Sequence, residues 1–430
     1  MIKPPLGIYI HIPFCVSKCA YCDFYSLPCC NRETDMRTYV ERLCRDIQKY
    51  APRFQNRTVD TVYFGGGTPT VLYESAIFGI LRAVSDNFSV SSPEITSEAN
   101  PESLTLEKAH ELKAVGVNRI SVGLQAADDG LLKILGRVHT VSDYLRAIEN
   151  LRAAGFENIG ADVMLGLPGQ TLRRVEDTLK LLHKQNIPHI SAYALKLEKG
   201  TPLYRAQSTV HSAQLKDKDN AQCTMRNAQL KDNAECRIYN AQIKEKSETV
   251  DCALCTVDYK VDCGLCTVRC KNPLLNFPDD DATADQYDLV YDTLTANGFR
   301  RYEVSNFARP GFECRHNLKY WTMGDYLGLG AAAHSFYGGA RYANSRSLNY
   351  RTQKTPQTPA DGLNDAIMLN LRTERGIDAQ LLKQAYGRDL LSEPTVLDLI
   401  KKGFLILNGA RLAVAPDKFY VMNSIIAQLL

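Results

Sequence analysis

The chain has 430 residues, 45% of them apolar and 23% charged, with a net charge of +3, a composition with room for two or three folded domains and no case for a nucleic-acid or membrane-surface partner. No stretch approaches the roughly 20 apolar residues of an integral membrane segment, and the start Met1-Ile-Lys-Pro-Pro lacks an export leader. Fourteen cysteines in a chain of this size therefore point to reduced thiols and metal ligation in the cytoplasm rather than to disulfides.

The β-prone run Ile8 to Phe14 leads straight into Cys15, Cys19 and Cys22, spaced C-x3-C-x2-C with Tyr21 just before the last cysteine. This reads as a strand ending in a cluster-binding loop. Three thiolates are one short of a closed four-ligand site, which suggests a cubane with one iron open to a small molecule. A zinc site that recruits Cys29 is the alternative. A helix follows over Asp35 to Tyr50, with Tyr39, Leu43 and Ile47 on its apolar face and Cys44 as a core residue. The strand Thr58 to Phe64 then runs into Gly65-Gly66-Gly67-Thr68-Pro69, a turn that lets a ligand approach the backbone closely. No Gly-Lys-Ser/Thr follows, so a phosphate loop is a poor reading.

Strand and helix patterns now alternate, with strands at Glu94 to Asn100, Arg119 to Gln125, Asn158 to Leu165 and His189 to Leu195. Such repetition predicts an α/β fold of parallel strands and crossover helices, curved into a partial or complete (β/α) barrel with function at the C-terminal strand ends. Polar residues stand there: Glu98, Gln125 and Asp162, with Arg137 in the loop Leu135 to His139. His139 is a lone histidine with no legible partner.

Residues 207–277 interrupt the pattern. Ala213 to Cys223 is echoed by Ala228 to Cys236, and Asp251-Cys-Ala-Leu-Cys-Thr-Val257 by Asp262-Cys-Gly-Leu-Cys-Thr-Val268. Cys252, Cys255, Cys263 and Cys266 form two C-x2-C pairs that could hold zinc, but the spacing between pairs is short and the surrounding Asn, Gln, Lys and Asp favour a flexible solvated insertion.

Beyond it, Asp279 to Asn297 reads as an amphipathic helix, Phe299 to Phe307 as strand-like, and Cys314-Arg-His316-Asn317-Leu-Lys-Tyr320-Trp321 as an H-N-x-x-Y-W run that holds the chain's one tryptophan. Read by itself this is a buried histidine beside a Tyr-Trp core patch. Gly328 to Tyr337 is a small-residue turn carrying His334, a weaker ligand candidate. The expected division is a barrel over 1–206, the insertion over 207–277, completion of the barrel region over 278–345, a linker over 346–362 and a C-terminal domain over 363–430. The last contains helices at Leu363 to Arg372, Asp378 to Tyr386 and Pro394 to Lys402, a hairpin around Asn408-Gly409, and a final helix.

The cysteine loop, with its flanking words His11-Ile-Pro-Phe-Cys15 and Cys22-Asp-Phe-Tyr25, resembles the radical S-adenosylmethionine (SAM) superfamily, in the branch of HemN-type coproporphyrinogen oxidases and HemW-type haem chaperones. The resemblance covers nearly the whole chain apart from the insertion. It implies a radical SAM partial barrel with a winged-helix-like C-terminal domain, a [4Fe-4S] cluster on Cys15, Cys19 and Cys22, and SAM held by Tyr9, Tyr21, Gly66, Gly67, Thr68, Glu98, Gln125, Arg137 and Asp162. It also implies haem contact by His316, Asn317, Tyr320 and Trp321. The HemN type has a further cysteine where this chain has Phe24, so the resemblance favours haem binding and transfer to an unidentified acceptor protein. The alternative is oxidative decarboxylation of coproporphyrinogen III.

Overall fold

The computed structural model describes residues 4–207 and 276–430. Six strands of the first half, β1 (Leu6–Ile12), β2 (Thr58–Gly66), β3 (Ser89–Ala99), β4 (Arg119–Gln125), β5 (Asn158–Leu165) and β6 (His189–Ala194), lie side by side and parallel in chain order. Their runs are apolar because parallel strands are covered by crossover helices. Leu6, Ile8, Ile10 and Ile12 of β1 are fully buried and share one core with Leu43 and Ile47 of the helix Glu33–Tyr50. Four of the helices between these strands begin at a side-chain cap: Thr105, Asp128, Thr140 and Thr171 each accept an amide of the following turn through their side chains.

The second half extends this sheet at both edges. Short strands β7 (Arg300–Arg301) and β8 (Asn306–Ala308) add antiparallel beyond β6, where Phe299 to Phe307 was expected as one strand. On the other side β9 (Tyr326–Leu329) lies parallel to β1, followed by antiparallel β10 (His334–Tyr337), β11 (Ala340–Asn344) and β12 (Thr352–Pro356). The sheet order is β12-β11-β10-β9-β1-β2-β3-β4-β5-β6-β8-β7, open at both ends, so the barrel is the partial one of the two expected forms. Gly328 to Tyr337, expected as a turn, instead supplies the second half of β9 and all of β10.

Within the span 346–362, expected as a linker, lie the exposed β12 and the first turn of the helix Pro359–Asn370. The C-terminal unit continues with helices Ala379–Tyr386 and Pro394–Lys401, then the hairpin Leu405–Asn408 and Arg411–Val414, in which Asn408 pairs with Arg411 and the two-residue loop Gly409-Ala410 has its positive φ, +62°, at the first position, where a type II′ turn takes glycine. Ile377–Asp378 pairs with the hairpin, and Ile367, Leu371, Leu390 and Leu412 form a separate core. The insertion, with Cys252, Cys255, Cys263 and Cys266, lies outside the described residues. Among the described residues no helix is long and apolar enough to cross a membrane.

Candidate cofactor site at the strand ends

β1 delivers the cysteine loop to the C-terminal edge of the sheet. Phe14–Cys15 pairs with Leu27–Pro28, so the loop leaves and returns at one place. The glycine turn after β2 locks onto it: Gly67 donates its amide to Ile12 O at 2.8 Å, and Thr68 donates its amide to Phe14 O at 2.7 Å. A Cβ on Gly67 would lie 2.6 Å from Phe14 O, and one on Gly66 2.3 Å from the His11 ring. The glycines are thus required first by packing against the cysteine loop. His11 is fixed from both sides, by the Tyr9 hydroxyl at 3.1 Å and by Tyr25 O at 3.0 Å.

A chain of hydrogen bonds joins two of the three thiols through the strand ends. The Thr68 hydroxyl donates to Cys15 Sγ at 3.6 Å, and Asn100 Nδ2 donates to Thr68 Oγ1 at 2.9 Å. Arg137 then donates to Asn100 Oδ1 at 2.7 Å and, through Nη1, to Cys19 Sγ at 3.6 Å. Asn100 was missed in the sequence, although it directly follows β3 at the strand end where function was expected. Its Oδ1, Gln125 Nε2 and Arg137 Nη2 all lie within 3.2 Å of the point where Gly123 would carry a Cβ, so three polar side chains converge over one glycine. Gln125 has a φ of +69° beside a register shift in β4, which turns the end of that strand toward the loop. His139, read as partnerless, in fact faces Arg137 Nε at 3.3 Å and Glu102 Oε2 at 3.5 Å, and so braces the arginine.

The carboxylates sit deeper. Glu98 accepts from the Tyr63 hydroxyl at 2.9 Å and from the Gly66 amide at 3.1 Å, and burial, then the neighbouring Asp162 charge, push its pKa up to about 7. Asp162 accepts from the Ser121 hydroxyl at 3.1 Å, and burial raises it as well. Tyr9 is stacked 6.1 Å from Tyr63 on this inner face, while Tyr21 packs under the loop with Ala20 and Leu203.

The donor set suits an iron–sulfur cluster. Cys15, Cys19 and Cys22 are free thiols; burial raises Cys15 and takes Cys22 up to about 11, and each of these two also feels its neighbouring sulfurs. Bound iron would offset that cost of ionisation, and Arg137 already places a cation on Cys19. Among the described residues no three His, Cys, Asp or Glu side chains are drawn into a closed metal-holding group. The fit therefore rests on the chemistry of the loop and its hydrogen bonds.

His316 is a different case. It is fully buried, its Nδ1 lies 2.8 Å from Thr61 Oγ1 and its Nε2 2.9 Å from the Tyr320 hydroxyl. Burial, then Lys319, lower its pKa to about 3, so the imidazole is in the neutral, ligand-competent form. In this arrangement both ring nitrogens are engaged in hydrogen bonds. A haem iron could meet Nε2 only in exchange for its hydrogen bond to Tyr320. Asn317, Tyr320 and Trp321 are half-buried on the same helix, Arg315–Trp321, and His334 is exposed on β10.

Fold and site together define a radical SAM protein: residues 9–182 match the Radical SAM superfamily model, and residues 357–417 match that of the HemN C-terminal domain. The Bacillus subtilis heme chaperone HemW is 30% identical over 92% of this chain and 92% of its own length, and the Escherichia coli K12 heme chaperone HemW is 32% identical over 83% and 75%. The Lactococcus lactis heme chaperone HemW is 28% identical over 100% of this chain and 98% of its own. The chain belongs to the HemW family. Among solved structures, coproporphyrinogen III oxidase (HemN) from Escherichia coli, a radical SAM enzyme, covers 99% of this chain with 89% of its own covered, at a TM-score of 0.71 and 20% identity, a likeness of fold.

Proposed function

We propose that the protein is a haem chaperone: it carries one [4Fe-4S] cluster and SAM, binds haem, and passes the haem to an acceptor protein. The observation that carries this reading is the similarity to HemW relatives along almost the whole chain. Phe24 supports it, standing 66% exposed beside the cysteine loop where the HemN type has a further cysteine.

Cys15, Cys19 and Cys22 would hold the cluster. When bound, cluster and SAM supply one-electron chemistry at the iron that lacks a cysteine. Around them, Tyr9, Tyr21, Gly66, Gly67, Thr68, Glu98, Gln125, Arg137 and Asp162 are proposed as the SAM-binding residues. Arg137 and Gln125 offer donors at the mouth for a carboxylate, and Glu98 and Asp162 offer acceptors for hydroxyl or ammonium groups. Glu98, with its pKa near 7, can also hold a proton there. His316, Asn317, Tyr320 and Trp321 are proposed as the haem-contacting segment. The cytoplasmic location and the five-part division of the chain belong to the same proposal.

The test is anaerobic reconstitution followed by iron and sulfide analysis, haem titration, SAM-cleavage assay and incubation with coproporphyrinogen III on one sample. About four irons per chain, stoichiometric haem uptake and no porphyrinogen turnover are expected. Decarboxylated porphyrinogen would establish the oxidase instead, and zinc without iron would overturn the cluster.

A further inference from the structure

Two thiols of the cysteine loop take hydrogen bonds from side chains that are both held by one residue. Asn100, directly after β3, donates Nδ2 to Thr68 Oγ1 at 2.9 Å and accepts at Oδ1 from Arg137 Nη2 at 2.7 Å. Thr68 Oγ1 in turn reaches Cys15 Sγ at 3.6 Å, and Arg137 Nη1 reaches Cys19 Sγ at 3.6 Å. A guanidinium can only donate, so the Asn100 oxygen has to face Arg137 and its NH2 end is left to face Thr68. The amide therefore has one permitted orientation.

That orientation decides where the Thr68 proton points. A hydroxyl has a single proton, and with an oxygen lone pair taken by the Asn100 N–H, the proton is left for Cys15. Thr68 is only 1% exposed, so bulk water does not compete for it. The Thr68 backbone is pinned separately, through its amide to Phe14 O, which leaves Asn100 to set the hydroxyl. On the other branch Arg137 Nη2 also donates to Gly123 O at 3.0 Å and Nε faces His139 at 3.3 Å, so the guanidinium plane is fixed with Nη1 on Cys19. Cys15 is also faced by the Ser26 hydroxyl and Cys22 by the Phe24 amide, contacts in which Asn100 has no part.

We propose that Asn100 is a positioning residue that aims the Thr68 hydroxyl and the Arg137 guanidinium at the Cys15 and Cys19 sulfurs and so raises the reduction potential of the [4Fe-4S] cluster. The inference rests on the cluster reading above. Reduction adds one electron, drawn from a low-potential one-electron donor, and the negative charge it brings is shared with the thiolate ligands. Donors on those sulfurs stabilise the reduced form more than the oxidised one, and hydrogen bonds to the sulfurs are among the factors that set the potential of such clusters.

The test is a redox titration followed by electron paramagnetic resonance on the reconstituted, SAM-free full chain, with dithionite as reductant and iron and sulfide analysis on the same samples. Asn100→Leu roughly keeps the size and removes both ends of the amide. About four irons per chain are expected in wild type and variant, with the variant's reduced-to-oxidised ratio about tenfold lower at a given potential, which is about 59 mV for one electron. The shift should shrink in a Thr68→Val background, where the hydroxyl that Asn100 aims is already gone. If Asn100→Leu does not hold iron, Asn100→Asp decides. It still accepts from Arg137 but has no N–H, so it draws the Thr68 proton away from Cys15, and the charge it adds acts alike in both backgrounds; a fall in potential that is smaller without the Thr68 hydroxyl is again expected. A wild-type chain without a four-iron cluster would overturn the cluster reading and this proposal with it. A wild-type cluster whose potential is the same in the Asn100 variant, or falls equally with and without the Thr68 hydroxyl, would overturn the proposal alone and leave Asn100 as a brace for the loop.

Discussion

Arg137 donates one guanidinium nitrogen to Cys19 Sγ and another to Asn100 Oδ1, so a single side chain ties the cysteine loop to the end of β3. Since Asn100 passes the connection on to Thr68, and Thr68 to Cys15, the loop is held by the strand ends at two thiols. Replacing Arg137 by Met removes a charged donor from both contacts. A hydrogen bond to a charged group contributes about 1.5–3 kcal/mol, so SAM affinity should fall roughly 10- to 100-fold. Equilibrium dialysis of reconstituted protein measures this, and unchanged affinity would show that Arg137 only braces the loop.

The glycine turn gives a sharper structural test. Gly66 has a φ of +105° and no room beside His11, so Gly66→Ala combines backbone strain with a clash. We expect a loss of more than about 2 kcal/mol in stability, with reduced iron incorporation. Denaturant melts and iron analysis check both, whereas the more open Gly79 serves as a control that tolerates alanine.

Glu98 makes stability depend on pH in a defined direction. Its pKa lies at about 7 in the folded chain against 4.5 for the ordinary carboxyl, so the folded state binds the proton more tightly. Its favourable contribution is complete below about pH 4.5 and lost as pH rises through about 7. The shift corresponds to about 3 kcal/mol at 1.36 kcal/mol per pH unit. Glu98→Gln keeps the shape beside Tyr63, the Gly66 amide and Asp162 but cannot ionise. The buried Glu303, also pushed up to about 7, is common to both proteins and drops out of the comparison. Urea melts of the cofactor-free chain at pH 5 and pH 8 should show the wild type losing more stability than the variant; parallel losses would sink the assignment.

For His316 the two ring hydrogen bonds separate a structural role from a ligand role. His316→Ala leaves a cavity and strands the Thr61 and Tyr320 hydroxyls, at a cost of about 2–5 kcal/mol. Tyr320→Phe is milder and frees Nε2. If His316 meets the haem iron, Tyr320→Phe should bind haem as tightly as the wild type or more so, with a histidine-ligated Soret spectrum. Weaker binding with an unaltered spectrum would place the iron ligand elsewhere.

Much of this arrangement was legible in the chain, because it depends on local pattern. The run from Ile8 into Cys15, the glycine turn at Gly66, the strand-end residues Glu98, Gln125 and Asp162, and the Asn408-Gly409 hairpin each announce themselves within a few residues. Asn100 and the partners of His139 did not, since their roles exist only once β3 and the loop after β4 are adjacent in space. His316 shows the limit from the other direction. Its motif marks the residue as special, but only the fold shows both nitrogens already occupied. The edge strands β9 to β12 were hidden for a related reason: short segments that pair with distant ones carry little periodicity of their own.

The pairing of β9 with β1 has a consequence for how the protein is made. Gly7 sits beside Tyr326, so the strand that carries the cysteine loop has one flank covered early by β2 and the other only after most of the chain has left the ribosome. Non-local pairing of this kind forms late, because a long loop must close before the contact is gained. During synthesis the thiols would therefore pass through a stage in which their supporting strand is half-covered. Slowing translation downstream of β8 should lengthen that stage, and with it the interval in which iron delivery and thiol oxidation compete for the same three sulfurs.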